Sequence, residues 1–347
     1  MPMRWSEPRH ASAADLAACR DLLCCGSRSF HLASLLLPAA VHRPAGALYA
    51  FCRLADDEID DAQTGDPTAA LNRLRDRLDR AYAGRPLPIA VDRAFADVIR
   101  EHHIPRALPE ALLEGFAWDA AERRYETLPD VLAYAARVAG AVGAMMAVLM
   151  RRRDPISVAR ACDLGVAMQL SNIARDVGED ARAGRLYLPR SWLRQEGIDA
   201  DGFLADPVFT PALARVVTRL LEVADSLYRR ADAGVAALPL SCRPGIGAAR
   251  RLYAEIGCEV LRQGCDSIAR RAVVPGPRKL ALLGRSLAAS LLPVQIDDAP
   301  PLSETRFLVE AVHAATPRFH RAAGDSRLGW AIELFARLET RDLEALR

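Results

Sequence analysis

Acidic side chains recur four apart in two stretches of this chain. One is Asp56-Asp57-Glu58-Ile59-Asp60-Asp61, and the other runs from Asn172 through Arg175, Asp176 and Glu179 to Asp180. Residues four apart share one face of a helix, one turn up. Like charges stacked that way repel, so a helix gains nothing from them alone. A hard divalent cation removes the repulsion, because carboxylate oxygens are its preferred ligands. Two such faces turned towards each other would hold several Mg²⁺ ions and, on them, a diphosphate.

The surroundings of each cluster sharpen this reading. Arg53 precedes Asp56 by three residues, near the same face. Its planar fork suits the outer oxygens of a diphosphate. Taken alone, this first cluster also fits a solvated acidic helix with an i,i+3 salt bridge. In the second, Gln169, Asn172, Asp176 and Asp180 step by three, four and four along one stripe. Such a polar stripe inside an otherwise apolar stretch is costly if buried without partners. Metal and diphosphate would supply them. Gly184-Arg185-Leu186-Tyr187-Leu188-Pro189 then ends the helix, with a basic and an aromatic residue close by.

The elements that must carry these residues read as helices. Ala, Leu and Arg are abundant, and apolar residues recur at three and four, as in Leu71, Leu74, Leu78 and Tyr82. Val131 to Met150 reads as a long helix rich in small residues (Ala135, Ala136, Ala139, Gly140, Gly143), where another helix or a ligand chain can approach closely. Proline and glycine clusters punctuate the chain, and no repeat or low-complexity tract is visible. A single all-α domain of about a dozen helices is expected. The tail changes character and holds His313, His320 and a helix-like run from Leu328 to Arg347.

Composition narrows the function classes. The 347 residues, 51% hydrophobic, can bury a large core. A net charge of +2 argues against binding nucleic acid through a large basic surplus. The eight cysteines form no CxxC pair and no Cys/His ligand spacing, so they read as buried apolar groups in a reducing compartment. No signal peptide is legible at the N-terminus. The apolar run Val138–Met150 stops at Arg151, short of a membrane span.

The chain resembles the squalene/phytoene synthase family, most closely its bacterial phytoene synthases. The matching segments are Gly26-Ser27-Arg28-Ser29-Phe30, Tyr49 to Arg53, Asp56 to Asp60, Val138 to Gly143, Gln169 to Pro189, Tyr253 and Arg270-Arg271. The resemblance implies a single-domain, all-α isoprenoid-synthase-type fold around a central cavity. The prenyltransferase domain would cover residues 15–295, with a helical extension over 296–347. Asp56, Asp60, Asp176 and Asp180 would be metal ligands, assisted by Asn172. Arg53, Arg175 and Arg270 would hold diphosphate oxygens. Ser27, Ser29 and Phe30 would lie at the mouth of a prenyl site, Gln169 would contact substrate, and Tyr49 and Tyr253 would face the reaction chamber. One departure concerns a tyrosine many relatives carry at the place of Ala136. Tyr134, two residues earlier, is expected on another helical face.

The reaction implied is head-to-head condensation of two geranylgeranyl diphosphates to phytoene, with Mg²⁺ or Mn²⁺ and without NADPH. Ionisation of an allylic diphosphate, closure of a cyclopropane, and a second ionisation with rearrangement would follow one another in a dry chamber. Phe30, Phe51 and Tyr253 could stabilise the cation by their faces. Enzymes using C15 substrates (dehydrosqualene, squalene or presqualene synthases) share the motifs and stand as the alternative. A non-catalytic relative should have lost some of the four principal aspartates, all present here. A cytoplasmic protein with peripheral membrane contact through Leu280–Val294 is expected, since the product is apolar.

Overall fold

A computed structural model of the chain describes residues 10–61, 66–289 and 298–316. No strand occurs among them; fifteen α-helices do. In chain order these are α1 (Ala13–Gly26), α2 (Arg28–Ser34), α3 (Ala39–Asp61), α4 (Pro67–Tyr82), α5 (Ala90–His102), α6 (Ala107–Ala120), α7 (Leu128–Ala135) and α8 (Ala141–Leu149). They continue with α9 (Pro155–Arg182), α10 (Arg190–Gln195), α11 (Ala200–Ala205), α12 (Pro211–Ala237), α13 (Arg243–Arg262), α14 (Gly276–Ala289) and α15 (Arg306–Ala314). One compact unit runs to His313, and a second comprises Ala314–Arg347. Residues 298–313, read from sequence as the start of an extension, thus pack with the first unit; Leu308 and Val312 are fully buried there. His320 and the run Leu328–Arg347 lie outside the described residues.

Local chemistry starts the helices where the sequence marks them. The Asp154 side chain accepts from the Ser157 amide with Pro155 behind it, and Thr210 does the same for Leu213 ahead of Pro211. Thr127 and Asp130 form a reciprocal capping box at α7. Between α7 and α8 the chain makes one π-type turn, Ala136–Gly140, in which the Ala141 amide bonds to the Ala136 carbonyl. Such turns re-aim side chains and often sit beside functional sites.

Helix α9 is the spine. It packs against α8, the π-turn, α12 and α13. Two glycines set its closest approach. A Cβ on Gly143 would collide with the Ala161 carbonyl, and one on Gly165 with the Ala139 carbonyl. The small-residue stripe of the sequence is thus used for helix packing, and the same stretch also walls a cavity, as described below. The continuous helix Leu128–Leu149 is apolar and long enough to cross a bilayer, unlike the shorter run read from sequence. Two thirds (67%) of its most apolar window is buried within the protein, as expected for a core helix.

Candidate active site

Helix α3 brings Tyr49, Arg53, Asp56, Asp57 and Asp60 to one region, and α9 brings Gln169, Asn172, Arg175, Asp176 and Asp180. The α9 wall is half-buried, as are Asp56 and Asp57 on α3 with Asp60 exposed at the rim, and the two walls face each other across a narrow gap. Arg185, just past the end of α9, donates to Asp60 Oδ1 on α3 at 2.7 Å. A third acid stands between them. Asp119, in the last turn of α6, contributes to the field felt by Asp56 on one wall and Asp180 on the other.

Sequence reading missed Asp119. Its signal was a lone carboxylate at a helix C-terminus, where the macrodipole disfavours negative charge. It is held there by two phenols: Tyr134 donates to Oδ2 at 2.9 Å and Tyr187 to Oδ1 at 2.7 Å. Their rings stack 4.9 Å apart, with Tyr125 against both. Tyr134 therefore reaches the acidic site through a partner on another helix, although its own helical face differs from that of Ala136. Ala136 itself is fully buried in the core.

The electrostatics show crowded negative charge taken out of water. Burial, then the charges of Asp60 and other acids, push Asp56 up to about 6. Burial and Asp176 raise Asp180 to about 7. Asp119 rises to about 6, because burial outweighs the two tyrosine hydrogen bonds. For Asp176 burial is outweighed by paired arginines, and its carboxyl falls below the usual range. Arg175 clasps it at 2.7 and 2.5 Å, and Arg271 clasps it at 2.8 and 3.1 Å. Arg53 bonds Asp56 at 3.2 Å and Asp57 at 2.6 Å.

Arg271, which also meets Glu179, is the cation that this loop delivers. Arg270, expected in that role, is exposed and makes no ion pair among the described residues. Adjacent positions in an irregular segment point apart, and helical spacing cannot choose between them.

Behind the acids lies an apolar cavity of about 260 Å³. Helices α3, α8, α9, α12 and α13 and the π-turn supply its walls, with Val138, Ala139, Val142, Met146, Leu164 and Met168 among the lining residues. Gln169, Asn172, Tyr49 and Tyr253 give its polar end. Phe30 lines it too and stacks on Tyr49, ring centroids 5.7 Å apart. Ser27 caps α2 by accepting from the Phe30 amide and lies 3.5 Å from the Tyr253 hydroxyl. Ser29, one helical turn's edge away on α2, is half-buried. Phe51 departs from expectation: it is buried in the core, stacked on Phe95 at 4.0 Å, and is absent from the cavity wall. It falls two residues from Tyr49, so the helix turns it to the opposite side.

A hard divalent cation fits the donor set. Asn172 Oδ1 is buried without a hydrogen-bond partner, and Asp56 and Asp180 carry raised affinities for positive charge. All are oxygen ligands of the kind Mg²⁺ takes. Among the described residues, however, no three acids are gathered closely enough to hold an ion as they stand. Asp56, Asp60 and Asp176 are turned to arginines, and ligation requires them to exchange partners.

Comparison with known proteins follows the same line. The family model for squalene/phytoene synthase matches residues 25–278. This chain belongs to the squalene/phytoene synthase family. Within it, the chain is 54% identical over 334 residues to a phytoene synthase of Rhodobacter capsulatus, covering 95% of this chain and 97% of the relative. It is 52% identical over 349 residues to the phytoene synthase of Cereibacter sphaeroides, covering 97% of each. Among solved structures, a dehydrosqualene synthase in complex with ligand superposes with a TM-score of 0.72 at 32% identity, over 79% of this chain and 96% of the other. Both acidic walls, Asp119, the aromatic cradle and most of the cavity lie within the span that the family model matches.

Proposed function

We propose that this protein is a phytoene synthase of carotenoid biosynthesis, which joins two geranylgeranyl diphosphates head to head through prephytoene diphosphate, with release of both diphosphates. The observation that carries the reading is the placement of two arginine-bridged carboxylate walls beside an apolar cavity. The relatives named phytoene synthase support it over nearly the whole chain.

Each residue has a task that its chemistry allows. Asp56, Asp60, Asp176, Asp180 and Asn172 would hold Mg²⁺ or Mn²⁺, which when bound supplies the positive charge that helps a diphosphate leave. Arg53, Arg175, Arg185 and Arg271 are within reach of the same carboxylates and, once released from them, donate to diphosphate oxygens. Tyr49 is pushed by burial to about 12, so its hydroxyl stays protonated and serves as a hydrogen-bond donor. Phe30, Tyr49 and Tyr253 present ring faces at the polar end of the cavity, where positive charge develops. Gln169 and Ser27 fix the substrate entrance, and the apolar walls exclude water that would quench a cation. The proposed chemistry calls on no NADPH. The apolar product implies a cytoplasmic enzyme in peripheral contact with a membrane.

Incubation with C20 and C15 diphosphates separately, with Mg²⁺ and with or without NADPH, tests this reading. Phytoene from the C20 substrate without reductant is the expected result. Hydrocarbon from the C15 substrate alone would transfer the assignment to a dehydrosqualene- or squalene-type synthase.

A further inference from the structure

Helix α14 carries apolar side chains on its outer surface as well as its inner one. Its inner positions Leu282 and Ser286 are buried, with Leu283 partly so. Its outer face carries Leu280 (67% exposed), Ala281, Gly284, Leu287 (49% exposed) and Ala288, and Val273 (65% exposed) stands just before it. A surface helix ordinarily turns polar groups outward; exposed leucines grouped with a neighbouring valine make an apolar stripe suited to an apolar surface.

Charge identifies that partner. From Ser267 to Ile296 the sequence holds Arg270, Arg271, Arg278, Lys279 and Arg285 and no acid. Lys279 is the only lysine of the chain. Arg278 is committed to Glu255 at 2.9 and 3.2 Å, and Arg271 to Asp176. Arg270 and Arg285 are exposed and Lys279 is partly so, and no acid pairs with any of the three among the described residues. An apolar stripe flanked by unpaired cations matches the boundary of an anionic lipid bilayer.

The same helix backs the reaction cavity. Leu282 packs with Ala33, Ala248, Ala249 and Leu252, and Leu36, Met168 and Leu283 close around that group. Met168 and Ala249 are themselves cavity walls. One layer of side chains thus separates the cavity from α14. Helix α14 also borders a second cavity of about 310 Å³, lined by Tyr228, Arg251, Glu255, Leu282 and Arg285 among others. Beside this apolar packing, Arg278–Glu255 and Arg251 donating to Ser286 Oγ at 3.2 Å tie α14 to α13.

Resting on the functional reading above, we propose that the outer face of α14 docks on an anionic bilayer and that the apolar product leaves the cavity sideways into it, past Met168, Leu36 and Leu283. Docking places lipid against the helix that backs the cavity, so the product passes beside α14 into the bilayer and need not cross water.

The full chain, the double variant Leu280→Ser/Leu287→Ser and the charge variant Lys279→Glu/Arg285→Glu are compared by flotation with phosphatidylglycerol/phosphatidylcholine vesicles and with phosphatidylcholine alone. Wild type floats with the anionic vesicles, and each variant loses about tenfold or more of that binding. Acetylation of Lys279, read by peptide mass, is slowed by anionic vesicles in wild type only. In detergent all three proteins convert substrate equally. Without detergent the first turnover is alike, and anionic vesicles speed later turnovers of wild type alone. Equal flotation of the variants would overturn the docking face, as would a wild-type dimer in sedimentation that the serine variant splits. Equal vesicle stimulation of all three would overturn the exit route. If no hydrocarbon forms even in detergent, the functional reading fails, whereas flotation and acetylation still decide the surface.

Discussion

Arg185 and Asp60 lie 125 positions apart in sequence and 2.7 Å apart in space. Their ion pair joins the end of α9 to the end of α3 and fixes the gap between the two acidic walls. An exposed pair of this kind contributes little to stability, about 0–1 kcal/mol. Its value is positional. Arg185→Ala should shift the melting temperature by no more than ~3 °C, yet lower diphosphate release by about tenfold or more. Parallel thermal melts and phosphate-coupled assays check this; a drop in both together would make the bridge a structural strut.

Asp119 accepts from Tyr134 and Tyr187 at once, and burial raises it to about 6. Asp119→Asn keeps the shape but offers one acceptor oxygen to two hydroxyls. The substitution should cost roughly 1–2 kcal/mol in stability and about 10²-fold in turnover. Denaturant melts and product formation from geranylgeranyl diphosphate measure the two effects separately. Unchanged turnover would confine Asp119 to packing the tyrosine cluster.

The raised carboxyls at Asp56, Asp119 and Asp180 give a pH dependence with a definite sign. The folded protein binds their protons more tightly than the unfolded chain, whose aspartates titrate near 3.8. Stability from these groups is therefore present at low pH and lost as pH rises from about 4 to about 7. Metal requires the ionised form, so Mg²⁺ should stabilise the protein more at pH 7.5 than at pH 5.5. Melting curves in EDTA and in Mg²⁺ across that range test this. Asp180→Asn should flatten the slope in EDTA and weaken the response to Mg²⁺.

Arg271 and Arg270 separate the two candidates for the diphosphate cation on this loop. Arg271 pairs with Asp176 and Glu179, whereas Arg270 faces solvent. Arg271→Ala should raise KM for the prenyl diphosphate and lower kcat/KM by about 10–100-fold, the scale of one charge-assisted contact. Arg270→Ala should stay within about twofold in detergent. Steady-state kinetics on both variants decide, and a reversed order would return the role to Arg270.

Spacing, composition and motif determined a good deal by themselves. Asp56/Asp60 and Asn172/Asp176/Asp180 could be placed on common helical faces because an α-helix repeats every 3.6 residues. The all-α class, the small-residue stretch ending at Gly143 and the family followed from patterns that are local in the chain. Tertiary structure decided what lies across space. It set Asp119 between the walls, brought Tyr134 to it from α7, paired Arg271 rather than Arg270 with Asp176, and turned Phe51 into the core against Phe95. Local periodicity fixes which side of its own helix a residue occupies. It carries no information on which other helix, loop or solvent meets that side; only the packing of α3, α6, α9 and the loop before α14 supplies it.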